Sequence, residues 1–83
     1  MRQLVRTDHV LEIKIRNEIW RPPDAGFLLP ARTLAYQGHI IEALDEAAKL
    51  YLQNYGNMHG ILFRVRTETQ TLSSLAPFDS IDG

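Results

Sequence analysis

Between Val10 and Trp20 apolar and charged residues alternate: Leu11, Ile13, Ile15 and Ile19 share one parity, and Glu12, Lys14, Arg16 and Glu18 share the other. Successive side chains of a strand point to opposite faces, so this run predicts a β-strand with one buried and one wet face. Arg21-Pro22-Pro23-Asp24 ends it, because proline donates nothing to a ladder and aspartate favours turns. The same period of two returns at Gly60–Thr69, where Ile61, Phe63 and Val65 face inward and Arg64, Arg66 and Glu68 outward.

Between these runs the period lengthens. Ile40, Leu44, Ala47, Ala48, Tyr51 and Tyr55 recur at three and four residues and form one stripe, which predicts a helix over Ile40–Tyr55. Glu42, Asp45 and Glu46 near its start and Lys49 later suit the helix dipole. Gly56-Asn57 reads as its stop, whereas Gly38-His39 offers no good N-cap side chain. A shorter strand is expected at Thr33–Gln37, after an unusually apolar loop, Gly26-Phe27-Leu28-Leu29.

The expected fold class is α+β, a ββαβ order with a three-stranded antiparallel sheet of spatial order 2-1-3. The sixteen-residue helix returns the chain across the sheet and covers one face, burying Leu11, Ile13, Ile15, Phe63 and Val65 against Leu44, Ala48 and Tyr51. The tail, Leu72–Gly83, has room for a short fourth strand. No internal repeat or linker divides the 83 residues, so residues 1–83 are read as one small domain with 1–8 and 76–83 as candidate flexible ends. A chain of this length buries only about 60–65% of the surface its unfolded form exposes, which favours association with a partner or a second copy.

Composition closes off several chemistries. Cysteine is absent, which removes disulfides, thiol nucleophiles and cysteine-ligated metal. Nine Lys and Arg stand against ten Asp and Glu, a net charge of −1, which argues against a generic nucleic-acid or membrane-surface binder. No apolar run reaches the roughly 18–20 residues of a membrane span, and Met1–Arg6 carries no signal-peptide core. A cytoplasmic location is expected. His9, His39 and His59 have no metal-ligand spacing, and Ser73-Ser74 lies in no nucleophile motif. The chain is therefore expected to be no enzyme and to need no cofactor or metal.

Two surfaces remain. Trp20, Arg21, Phe27, Leu28 and Leu29 put large apolar groups beside a cation in segments outside the regular elements, the composition of a protein-binding hot spot. The alternative is nucleic-acid binding by Lys14, Arg16, Arg64 and Arg66 on the open sheet face. Glu12, Glu18 and Glu68 interleave with those cations and leave that face at +1. A third reading is a small dimeric ligand-binding protein or enzyme, with a cleft near His39 and His59.

The order of two strands (Val10–Trp20, Thr33–Gln37), a helix around Ile41-Glu42-Ala43-Leu44-Asp45-Glu46-Ala47-Ala48 and a strand (Ile61–Thr67) resembles small accessory proteins of phages and mobile elements, anti-CRISPR proteins among them. That resemblance covers about residues 10–70 and rests on layout. It implies a compact inhibitor that blocks a larger host complex by occupying a surface, and it carries no functional residue across. The acidic, DNA-mimicking members find a partial echo in Glu42, Asp45 and Glu46. The favoured function is thus a non-catalytic protein-interaction module, able also to form a homodimer.

Overall fold

Ile13 and Phe63, each in the middle of an alternating run, face one another across an antiparallel ladder in which every residue from Val5 to Ile15 has a partner between Thr71 and Ile61. The computed structural model describes residues 5–71, in the order β1 (Val5–Ile15), a 3-10 turn (Gly26–Leu28), α1 (Leu29–Tyr36), α2 (Ile40–Tyr55) and β2 (Ile61–Thr71). Among the described residues the sheet has two strands, not three, and two helices cover it, not one. The expected fourth strand in the tail lies outside the described residues.

Each departure from the expected ββαβ plan has a local cause. The segment expected as a strand at Thr33–Gln37 belongs to α1. Pro30 sits in the first turn of that helix, where its missing N–H costs nothing. Leu28, Ala31 and Ala35 then recur at helical spacing and are all buried. Gly38, at φ +90°, closes α1: its N–H donates to the Ala35 carbonyl, and the His39 N–H donates to Leu34, at 2.9 Å each. α2 follows at once over the residues its stripe predicts, without a side-chain N-cap, and ends at Gly56 with φ +84°. The layout that carried the likeness to phage accessory proteins is therefore not the layout of this chain.

The first strand is displaced as well. It stops at Ile15, five residues short of Trp20, because Arg16 takes a left-handed conformation (φ +56°) and the Glu18 N–H donates back to the Ile15 carbonyl. Ile19 consequently leaves the inward parity and stands 79% exposed. The chain reverses and touches β1 once more: Ile13 and Arg21 exchange both backbone hydrogen bonds, at 2.8 and 3.0 Å. Pro22-Pro23 then prevents a longer third strand.

The odd-numbered face of the sheet carries the core. Leu11 joins Leu28, Ala31, Ala35, Ala43 and Ala47, with Phe27, Leu34, Leu44, Leu50, Phe63 and Val65 packed around them. The four alanines, none with any exposed surface, let α1 and α2 pack closely. At the other end of the ladder the Arg16 N–H donates to the Gly60 carbonyl at 2.6 Å, and Gly60 has φ +74°. A Cβ there would stand 2.9 Å from the Arg16 Cγ. Gly60→Ala is expected to lower stability by about 1–2 kcal/mol through left-handed strain, read as the midpoint of urea unfolding; an unchanged midpoint would mean that this corner is not tightly built.

Candidate functional site

The five residues expected to form a binding hot spot do not converge. Trp20 lies on the even-numbered face, 4.3 Å from the Arg64 guanidinium carbon and 5.9 Å from the Lys14 Nζ, in the range of cation–π attraction. Arg21 is held to β1 by its backbone and to Glu18 by an ion pair at 3.6 Å. Phe27 packs beneath α2, its ring 6.3 Å from that of Tyr51 and 5.7 Å from that of Tyr55. Leu28 is buried in the core, whereas the next residue, Leu29, is 59% exposed on the outer side of α1. Helical spacing separates these neighbours, an effect hidden while the segment is read as a loop.

Of the four basic residues, Arg64 and Arg66 are engaged by a single carboxylate, while Lys14 stands over Trp20. Glu12, expected on a wet face, is only 5% exposed. The Arg64 Nε donates to its Oε1 at 2.8 Å and the Arg66 Nε to its Oε2 at 3.0 Å. Burial pushes the Glu12 carboxyl up, but the hydrogen bonds from Arg66 and Arg64, reinforced by their charges, outweigh it and hold the group below its ordinary value. Arg66 also meets Glu68 at 3.4 Å. Arg16 stands apart at the strand end, in the corner with Gly60. On the even-numbered face, therefore, Glu12 draws Arg64 and Arg66 together, and Trp20 lies against Arg64 and Lys14.

The histidines divide between the two ends of the fold. His9 lies near Gly38 and therefore near His39, while His59 precedes β2 at the far end of α2, about 24 Å of helix away. Among the described residues no group of three His, Asp or Glu is arranged to hold a metal ion. No buried side-chain nitrogen or oxygen among them lacks a hydrogen-bond partner. No helix among them is long and apolar enough to cross a membrane.

The surface that the sequence reading did not single out lies between α1 and β1. His9, Val10, Leu11, Leu29, Arg32, Thr33 and Tyr36 line a depression of about 350 Å³. Leu29, Arg32, Thr33 and Tyr36 stand three, four and seven residues apart, one face of a helix, and Tyr36 is 63% exposed. The spacing was available in the sequence; only the helix assignment was missing. No carboxylate lines the depression, and Arg32 has no ion-pair partner among the described residues. The two acids that flank it along β1 are both engaged, Asp8 by Arg6 at 3.0 Å and Glu12 by Arg64 and Arg66.

The floor of this depression is a sheet edge. Ile13 gives its N–H and C=O to Arg21 on the side away from β2. In an antiparallel ladder that parity repeats every second residue, so Leu11, His9 and Thr7 also turn their backbone groups outward. Among the described residues the Ile13–Arg21 bridge is the one pairing on that edge. Comparison with protein-family models, curated proteins and solved structures finds no match for the chain.

Proposed function

We propose that this chain is a non-catalytic protein-interaction module that occupies a surface of a larger protein through the α1–β1 side. The observation that carries this reading is the exposure of Leu29 and Tyr36 along the α1 rim of a depression whose other wall is His9, Val10 and Leu11 of β1. Large apolar side chains grouped around a concavity are costly to leave wet, and they supply the anchors from which interfaces draw most of their affinity. The pairing of Arg64 and Arg66 with Glu12 favours this surface over the basic face. The partner-binding region shifts accordingly: of the five residues proposed from the sequence, Leu29 lines the depression, while Leu28 is buried in the core and Phe27 packs on Tyr51 and Tyr55.

The test starts from the full chain purified from the organism that encodes it, together with whatever protein travels with it. That protein is then purified and its affinity measured for the native chain and for Leu29→Ser and Tyr36→Ser. Each variant is expected to weaken binding about tenfold or more, with little dependence on salt and with unchanged circular dichroism. Unaltered affinity in both folded variants, or binding that disappears on nuclease treatment, would overturn the reading.

A further inference from the structure

The elements that flank the depression between α1 and β1 are long enough to accompany a bound strand. Thr7 to Leu11 covers about 13 Å of strand, and Leu29 to Tyr36 covers about 10 Å of helix axis alongside it. The third-strand position on β1 is begun by Arg21 and cut off after one residue pair by Pro22-Pro23. Beyond that point the outward N–H and C=O groups of Leu11, His9 and Thr7 have no strand partner among the described residues, and beside them stand Arg32, without an ion pair among those residues, and two exposed apolar side chains.

Resting on the function proposed above, we propose that the α1–β1 groove binds an extended, acidic peptide segment of a partner protein as a third strand on the open edge of β1. The main chain of the segment pairs with Leu11, His9 and Thr7. Residues directly opposite these positions turn their side chains to the same face as Leu11 and His9, the face covered by helices. Every second residue of the segment therefore lies along α1. One of them, apolar, fits beside Leu29 over Leu11. The next on that face, two residues away, comes alongside Arg32 near His9, where a carboxylate forms a charge-assisted hydrogen bond. The recognition pattern is an apolar residue and an Asp or Glu two positions apart. The acid follows from complementarity: the lining holds an arginine and a histidine and no carboxylate.

The probe is an array of synthetic decapeptides with randomised sequence, incubated with the full chain, followed by anisotropy titration of the best binders. Enrichment of an apolar residue two positions from Asp or Glu is expected. Arg32→Glu should weaken those peptides about tenfold and shift the preference toward lysine or arginine at the same position. His9→Pro removes an outward N–H, leaves the β1–β2 backbone hydrogen bonds in place and loses only the 3.4 Å side-chain contact with the Thr67 hydroxyl, and it should abolish binding; Thr7→Pro, nearer the strand end, serves the same purpose if His9→Pro does not fold. Hydrogen exchange of the Leu11 and His9 amides should slow when peptide is bound. Neutral or basic winners from the array, binding indifferent to both proline variants, or a doubling of molar mass that excludes peptide would each overturn the inference. If Leu29→Ser and Tyr36→Ser still weaken the natural partner while both proline variants bind normally, the interaction surface stands and strand addition fails.

Discussion

Leu28→Ala is expected to lose about 2–5 kcal/mol of stability, the usual cost of emptying a fully buried leucine site. A chain of this length holds on the order of 4–12 kcal/mol in total, so the variant should be partly unfolded at physiological temperature. The reason lies in what surrounds the side chain. Leu28 is 1% exposed, and four of its companions in the buried cluster are alanines. Alanine has no side-chain freedom with which to collapse into a void, and two helices already in close contact cannot approach further. Leu29→Ala, one residue along, should change stability by less than about 0.5 kcal/mol, since that side chain is largely in water. Thermal unfolding of the two variants reads the contrast directly, with a fall of roughly 10 °C or more expected for Leu28→Ala. Equal effects at the two positions would mean that α1 presents a different face to the core.

That contrast also marks where the sequence was legible. Ile61, Phe63 and Val65 alternate with charged residues, and the Ile40–Tyr55 stripe runs for four turns, so both segments declare their period. Thr33-Leu34-Ala35-Tyr36 is too short to do so, and threonine and tyrosine favour strands when nothing else decides. Pro30 and Gly38 bracket the segment as a helix start and stop, a signal carried by two residues whose roles depend on each other. Without it the α1 face, and with it the groove over β1, stays hidden. Ile19 shows the converse error. Parity carried past Asn17 places it in the core, but the strand had already ended at the left-handed Arg16. Alternation also identifies which side chains share a face without saying whether that face is wet. Glu12, read as solvated, is covered by two arginines that join it only in the folded chain, one of them stacked on Trp20.

Glu12→Gln should therefore cost about 1–3 kcal/mol at neutral pH, more than exposed ion pairs usually contribute, because the carboxylate is buried while its partners remain half in water. A carboxamide keeps the shape but offers one acceptor oxygen to two guanidinium donors and turns its amide hydrogens toward the other. The pH dependence follows from the same geometry. The folded carboxyl titrates below the ordinary glutamate value of 4.5, so the unfolded chain takes up this proton first as the solution is acidified. The contribution of Glu12 is complete above about pH 4.5 and disappears as the pH falls through the folded value. Native chain and variant should differ most at neutral pH and converge in acid, measured as urea midpoints from pH 7 down to pH 3. A difference that stays constant over that range would mean that the two arginines do not hold the charged form of Glu12 in the fold. Convergence would identify this ion pair as the clamp on the even-numbered face, fixing the β1–β2 ladder at Glu12, one residue from the point where the open edge begins.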